Sequence, residues 1–298
     1  LPHRPGLRPR WLLRLGLFLY DHIGGRKYLP SAEGIDLTRH PAGVPLKPEY
    51  TRAFAYSDGW VDDARLVVLN AKSAEAKGAS VRPRTRVTSA RREDGVWRIE
   101  AGNETFYAKA LVNAAGPRVL EVDGLLGEAP DYAMRLVRGS HIVVPALFDH
   151  PYAYFFQLAD GRIFFAIPYE RDFTLIGTTD VDHDGPASEA RASVDEIAYL
   201  CEGASLYFRE PITPADVVWT YSGVRPLIED GSGRPEAATR GYRIDLDMEE
   251  GAPLLTIYGG KITSYRHVAE AAVDELAGHV PAMAGKRWTG KAALPGGD

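Results

Sequence analysis

The sequence predicts a mixed fold, α+β or α/β, with an antiparallel sheet in the middle of the chain. Three observations support this prediction. Four β-patterned runs, at 140–145, 153–157, 161–168 and 173–178, follow one another with short turns between them. Helix-patterned runs lie on either side of them, at 62–77 and 193–208. Near the end, the apolar run 254–258 leads through Gly259-Gly260-Lys261 into a helix that Thr263 opens.

Composition and charge are those of an ordinary globular protein. Of the 298 residues, 45% are hydrophobic and 25% are charged, as in ordinary soluble globular proteins. The formal net charge of −5 gives no bulk attraction to nucleic acid, so we expect no nucleic-acid partner. The single cysteine, Cys201, excludes an internal disulfide and a multi-cysteine metal site, and we expect it to be a small buried hydrophobic residue. No apolar run approaches the ~20 residues that a membrane span requires.

The first 22 residues predict a helix that ends before Gly24-Gly25. Its arginines stand among large apolar side chains, at Arg4, Arg8, Arg10 and Arg14. Such a helix either lies on a membrane surface or packs its apolar side on its own protein, and the second arrangement is the commoner one. Residues 28–50 contain four prolines and predict an extended connector.

A capped helix and a series of short strands follow the connector. Asp62 caps the helix at 62–77, and Gly78 ends it. Strands are predicted at 80–82, 86–92, 96–100 and 105–112, with a hairpin turn at Asp94-Gly95. The last strand leads into Asn113-Ala114-Ala115-Gly116, whose small residues let a cofactor lie against bare backbone. The same small residues also pack well beneath a helix, so this signal is weak on its own.

Motifs with well-known chemistry are missing from this sequence. It contains no G-x-G-x-x-G, no Walker loop, no G-x-S-x-G and no H-E-x-x-H. An acidic cluster, formed by Asp180, Asp182, His183 and Asp184, is compatible with a metal site or with a solvated turn. The cluster lacks the glycine that a calcium loop needs, which favours the turn, and we expect no metal.

Four basic side chains stand beside strands or glycine turns. Arg225 follows an apolar strand, Arg240 ends a polar loop, Lys261 follows two glycines, and His141 begins an apolar strand. Any one of them has a simple alternative role, which for an arginine is pairing with a carboxylate. Together they indicate a site for an anionic ligand, because arginine binds phosphate bidentately and lysine binds it as a point charge.

Longer strings resemble one enzyme family, the FAD-dependent glycerol-3-phosphate dehydrogenases. The most specific are 136–145 (LVRGSHIVVP), 163–182 (IFFAIPYERDFTLIGTTDVD), 218–227 (VWTYSGVRPL) and 254–270, which contains GGKITSYR. Segments 17–24, 61–71 and 112–117 are similar to the same family. The resemblance covers nearly the whole chain, in order and with compatible spacing.

The resemblance implies a fold in two intermingled parts. One is a partial FAD-binding domain of the glutathione-reductase type, as in amino-acid oxidases, and the other is an antiparallel-sheet domain that covers the substrate. We expect a helix and connector at 1–50, FAD-domain portions at 51–120 and 251–298, and the substrate domain at 121–250. The family's N-terminal G-x-G-x-x-G segment and its C-terminal helical domain have no counterpart here, so we expect an internal fragment that binds FAD weakly or not at all.

The resemblance also implies roles for individual residues. His141 and Arg225 correspond to catalytic positions, with His141 as the base and Arg225 beside the developing alkoxide. The substrate contacts correspond to His141, Arg225, Arg240 and Lys261. The flavin neighbours correspond to Asn113, Ala114, Gly116, Arg225, Gly260, Lys261, Ile262 and Thr263.

The implied activity of the intact protein is FAD-dependent oxidation of sn-glycerol 3-phosphate to dihydroxyacetone phosphate in glycerol metabolism. Electrons would pass to a quinone or to another acceptor such as oxygen. The expected location is the cytoplasm, at the inner face of the membrane as a peripheral protein, and a homodimer is one compatible state. Two alternatives stay open: a flavin oxidoreductase of the amino-acid-oxidase type that acts on a carboxylate, and a non-catalytic substrate-binding module.

Overall fold

A computed structural model describes residues 1–3, 9–23, 29–129, 132–158, 161–229 and 241–297. They form two compact units, each assembled from separated stretches of sequence. Unit 1 comprises Leu1–Trp60, Arg138–Val181 and Ser188–Gly223. Unit 2 comprises Val61–Val137, Asp182–Ala187 and Val224–Asp298.

Helices and strands are mixed along the chain, which confirms the predicted fold class. The helices are α1 (Arg10–Ile23), α2 (Asp63–Ala76), α3 (Val119–Leu126), α4 (Val194–Ser205) and α5 (Tyr265–Ala277). The first strands are β1 (Glu33–Asp36), β2 (Arg52–Ala55), β3 (Val87–Glu93), β4 (Val96–Ala101), β5 (Glu104–Ala108), β6 (Leu111–Asn113) and β7 (Met134–Pro145). The others are β8 (Tyr154–Gln157), β9 (Ile163–Tyr169), β10 (Phe173–Gly177), β11 (Val181–Asp182), β12 (Trp219–Ile228), β13 (Tyr242–Asp247) and β14 (Leu254–Gly259).

Unit 1 is built on the predicted antiparallel sheet. Its strands pair in the order β7-β10-β9-β8, and β11 and β12 also pair with β7. Apolar residues of β8 and β9 and of the segment after α4 form its core, where Phe156, Phe164 and Tyr207 are almost fully buried. Burial of each such side chain stabilises the unit by about 1.5–3 kcal/mol. Cys201 is buried in the same core, as expected.

Unit 2 contains two three-stranded sheets. One has the antiparallel order β3-β4-β5, and the other has the order β13-β14-β6, in which β14 and β6 are parallel. The indole of Trp97 is 1% exposed, donates to the carbonyl of Pro253 at 2.9 Å and packs against the guanidinium of Arg92. Arg92 in turn is paired with Glu128 and Asp247. This buried cation therefore joins three separate stretches of the unit.

The predicted start of α2 is confirmed, but two other predicted helix starts are wrong: α1 begins at Arg10 rather than at residue 1, and α5 begins at Tyr265 rather than at Thr263. The side chain of Asp62 accepts the backbone N–H of Arg65 and begins α2, as predicted. Within α5, the apolar Val273 and Tyr265 are about two-fifths exposed, while Glu270 is buried. Glu270 is buried because Arg266 and Thr289 satisfy its carboxylate.

Two of the predicted strands are wrong. Residues 80–82 form no strand, because Pro83 and Arg84 make a turn directly after them. The predicted strand 105–112 is two strands, β5 and β6, which belong to different sheets. An alternating pattern cannot reveal this change of sheet, since β5 and β6 are separated only by Lys109 and Ala110.

Glu196 in the first turn of α4 is the polar centre of unit 1. Its side chain is buried, and its own helix end holds it through a capping box with Ser193. Its carboxylate accepts hydrogen bonds from Thr179 at 2.7 Å, from Ser140 at 2.8 Å and from Arg138 at 2.8 Å. Burial alone would raise the pKa of this carboxyl, but the bond from the backbone N–H of Ser193, together with these side-chain hydrogen bonds, outweighs it and lowers the pKa to about 2.

We predict that unit 1 loses stability in acid because Glu196 becomes protonated. Its pKa falls from 4.5 to about 2 on folding, so its contribution is complete above pH 4.5 and disappears as the pH falls towards 2. This contribution is about 3 kcal/mol. Urea unfolding of Glu196→Gln at pH 7 should show a loss of about 3 kcal/mol, because Arg138 loses its charged partner.

Glu202→Gln is the matched control, because Glu202 is exposed on the same helix. A Glu196→Gln protein as stable as the control at pH 7 would contradict the central role of this carboxylate.

Candidate active site

His141 lies inside β7 rather than at its beginning, and its ring is held between two neighbouring strands. On β12, the ring of Tyr221 stacks on it with centroids 4.8 Å apart and planes within 5°. On β10, Gly177 is its direct partner in the sheet. A Cβ atom at Gly177 would lie 2.1 Å from Cδ2 of His141, so the imidazole lies directly against bare backbone.

The strands around His141 are fixed by the Glu196 network. Ser140, the neighbour of His141, is fully buried and bonds Glu196 with its hydroxyl group. The same hydroxyl lies 2.9 Å from that of Ser222, the neighbour of Tyr221. Because successive side chains point to opposite faces of a sheet, the serine pair lies on one face and the two rings lie on the other.

In unit 2, two predicted flavin segments meet at one sheet edge. Strand β6 ends at Asn113, and β14 runs parallel to it, with Thr256 opposite Asn113. Parallel strands bring their carboxyl ends to the same edge, which is where α/β sheets bind ligands. The turns Asn113–Gly116 and Gly259–Thr263 both follow these ends, so the fold brings them together.

A buried hydrogen-bond network fixes the first turn. The amide of Asn113 donates to the carboxylate of Asp123 at 2.8 Å and to the carbonyl of Val119 at 3.0 Å. Its oxygen accepts the backbone N–H of Ala115 at 3.2 Å. The hydroxyl of Tyr258, on β14, reaches the same Asp123 at 3.0 Å. The network therefore ties the β6 turn to the strand that carries the second turn.

The second turn requires its glycines. Gly259 has a φ of +73° and Gly260 a φ of +92°, which side chains rarely adopt. A Cβ atom at Gly259 would also lie 2.7 Å from the carbonyl oxygen of Gly241. Lys261 follows as an exposed cation, and Ile262–Ser264 form one 3-10 turn that leads into α5.

These two turns fit a planar cofactor with an anionic part. Gly116 has open space where a Cβ would be, and Ala114 is exposed beside it. The bare backbone lets a flat ring approach closely, and the N–H groups that begin α5 are suited to negative charge. Lys261 adds a full positive charge at the same turn.

The other candidate residues do not all belong to one unit. Arg225 is half-buried within β12, in the part of the strand that belongs to unit 2, rather than after a strand as expected. Lys261 belongs to unit 2 and His141 to unit 1. Arg240 lies outside the described residues.

The acidic cluster is partly paired. Arg135 binds Asp182 with two hydrogen bonds, of 2.6 and 2.9 Å, which lower the pKa of this carboxyl. Across the described ranges, no group of three or more His, Cys, Asp or Glu side chains is arranged to hold a metal ion.

Sequence reasoning missed four residues of the site: Gly177, Glu196, Tyr221 and Asp123. Only Glu196 had a clear local signal, because Ser193 three positions earlier completes a capping-box pattern. The contacts of Gly177, Tyr221 and Asp123 come from strand pairing and from residues distant in sequence.

Comparison with known proteins places these features in context. The family described as FAD dependent oxidoreductase (DAO) matches residues 8–266. D-erythritol 1-phosphate dehydrogenase of Brucella abortus is 49% identical over 100% of this chain and 61% of its own length. Aerobic glycerol-3-phosphate dehydrogenase of Escherichia coli is 47% identical over 100% of this chain and 60% of its own length. The chain therefore spans about three-fifths of the length of these relatives.

A solved structure agrees with this family match. Glycerol-3-phosphate dehydrogenase of Bacillus halodurans, complexed with FAD, superposes with a TM-score of 0.67 at 30% identity. The match covers 80% of this chain and 47% of the other. The expected likeness to FAD-dependent enzymes is thus confirmed at the level of family and fold.

We predict that Gly177→Ala destabilises unit 1 by about 1–3 kcal/mol, because the new methyl group overlaps the His141 ring. Urea unfolding monitored by circular dichroism measures the loss. Gly223→Ala is the matched control, since a Cβ at that strand position meets nothing within 4 Å. Equal stability of the two variants would show that the ring does not lie against Gly177.

Proposed function

The chain belongs to the FAD dependent oxidoreductase family, and from this premise we propose that the whole protein oxidises sn-glycerol 3-phosphate to dihydroxyacetone phosphate. One observation carries the proposal: strand pairing brings the turns Asn113–Gly116 and Gly259–Thr263 to one sheet edge, with the cation of Lys261 beside bare backbone. That arrangement suits a flavin and a phosphorylated substrate together. A relative named for this substrate, 47% identical across the whole chain, supports it.

In the proposed reaction, His141 takes the proton of the secondary hydroxyl group, since an imidazole accepts a proton close to neutral pH. Arg225 stabilises the negative charge that develops on the substrate oxygen. Lys261 and Arg240 bind the phosphate and thereby fix the position of the reacting carbon. FAD, when bound, would supply the hydride acceptor that this oxidation requires.

The proposed flavin contacts are Asn113, Ala114, Gly116, Gly260, Lys261, Ile262 and Thr263, with Arg225 near both flavin and substrate. All of them except Arg225, which lies in β12, belong to the two turns at one sheet edge. The electron acceptor of the proposal is a quinone, with oxygen as the alternative.

A second substrate of the same class has its own support. The relative named D-erythritol 1-phosphate dehydrogenase is 49% identical, against 47% for the glycerol-3-phosphate enzyme. Both names describe a phosphorylated polyol, so the phosphate is the common feature. A carboxylate substrate of the amino-acid-oxidase type is less well supported, because it would need only one of the proposed cationic contacts, Arg225, Arg240 and Lys261.

We further propose that α1 contacts a membrane surface. It has no buried residue, and it exposes Trp11, Phe18 and Ile23 beside Arg10 and Arg14. Tyr20 and Asp21 hold its other side, through bonds to the backbone of Ser57 and Ala32. Helices with basic and exposed apolar side chains bind the interface of anionic bilayers. Within the described residues, no helix combines the length and hydropathy needed to cross one.

We predict that Lys261→Gln in the whole enzyme raises the KM for glycerol 3-phosphate about tenfold or more, because a hydrogen bond to a charged group is lost. Dye-coupled kinetics with glycerol 3-phosphate and D-erythritol 1-phosphate measure this effect and also decide the preferred substrate. Lys286→Gln, at another exposed lysine of unit 2, is the control. If Lys261→Gln leaves both KM values unchanged, Lys261 does not bind the phosphate.

We predict that Trp11→Glu and Phe18→Glu together reduce binding of the whole protein to vesicles of anionic phospholipid, because each substitution places a carboxylate at the surface of the bilayer. Flotation with vesicles measures the bound fraction. Val67→Glu is the control, because Val67 is equally exposed on another helix. Binding that is insensitive to the α1 changes would assign membrane contact to another surface.

A further inference from the structure

Tyr221 is a partly exposed aromatic residue whose ring stacks on His141. Burial alternates along β12, so that Trp219 and Tyr221 face outward while Thr220 and Ser222 are half-buried. Tyr221 is 37% exposed, yet its ring lies parallel to His141 within 5°. A residue that served only the core would be expected on the other face of the strand.

The imidazole of His141 is confined on two sides, by β10 and by β12. Gly177 leaves no room for even a methyl group on the β10 side, since a Cβ there would lie 2.7 Å from Cγ and 2.8 Å from Nε2. Tyr221 covers the ring from β12 with centroids 4.8 Å apart. Tilting the ring therefore requires either that Gly177 moves or that Tyr221 moves.

Movement of Tyr221 is opposed from the other face of the sheet. The hydroxyl of its neighbour Ser222 lies 2.9 Å from that of Ser140, and Ser140 also bonds the buried carboxylate of Glu196 at 2.8 Å. The backbone N–H of Val218 donates to the carbonyl of Val143 at 2.9 Å, which adds a main-chain bond between β12 and β7. Both strands that carry the stacked rings are thus held in register.

We propose that Tyr221 is a positioning residue for His141. By stacking, its ring holds the imidazole in the orientation in which His141 takes the proton of the substrate hydroxyl group. This inference rests on the proposed function, because the reaction that it serves is the oxidation of a phosphorylated polyol.

The test uses the whole enzyme and three variants. Tyr221→Leu removes the ring, and Tyr221→Phe keeps the ring without its hydroxyl group. Tyr107→Leu is the control, because Tyr107 is a strand tyrosine that is 67% exposed in the other unit. Two quantities are measured: kcat and KM for glycerol 3-phosphate, and the 1H–13C resonance of the His141 ring in histidine-labelled protein, identified by its loss in His141→Gln.

The proposal expects Tyr221→Leu to lower kcat about tenfold or more, because a misplaced base transfers protons poorly. The KM should stay within about twofold, because the phosphate contacts are intact. The His141 resonance should lose the upfield shift that a stacked ring produces. Tyr221→Phe and Tyr107→Leu should keep both the kcat and the shift.

Three results would overturn the role of Tyr221. They are an unchanged kcat in Tyr221→Leu, an unchanged His141 resonance in that variant, and a Tyr221→Phe enzyme as slow as Tyr221→Leu. A wild-type enzyme that oxidises neither polyol phosphate is a different failure. It would remove the proposed function itself, whatever the His141 resonance shows.

Discussion

The arrangement of unit 1 depends on one buried carboxylate, that of Glu196. A buried charge is tolerated only when hydrogen bonds and an opposite charge replace the water that it has lost. Here those partners come from two other parts of the unit, Arg138 and Ser140 on β7 and Thr179 after β10. These hydrogen bonds to the Glu196 carboxylate therefore fix the position of α4 relative to the sheet, including the strand that carries His141.

Unit 2 also buries a carboxylate, and neutral groups donate the hydrogen bonds to it. The carboxylate of Asp123 is 1% exposed and receives bonds from the amide of Asn113 and the hydroxyl of Tyr258. These partners stand at the ends of two parallel strands, so the network holds two turns that have little contact area of their own. Glycines then leave the backbone of the turns uncovered. A rigid support beneath an open surface is what a ligand site requires.

Much of the fold followed from local sequence, but the site did so only in part. The cap at Asp62, the hairpins and the Gly259-Gly260 turn are local features, and the printed sequence contains everything that determines them. The partners of Glu196 lie 17, 56 and 58 positions away, so no local pattern relates them. Burial of Glu270 was missed for the same reason, because Thr289 lies 19 positions further along the chain.

The charges of the protein divide into two groups by burial. Glu196, Asp123 and Arg92 are buried, and their hydrogen-bonding capacity is used by neighbouring groups of the protein, so a ligand would have to displace internal partners to reach them. Lys261 is exposed on a turn that contains two glycines of positive φ, so a ligand can approach its ammonium group from solvent. Binding energy at such a site is not spent on rearranging the protein. The buried charges therefore serve the interior of the protein, whereas the proposed anion site uses the exposed cation of Lys261.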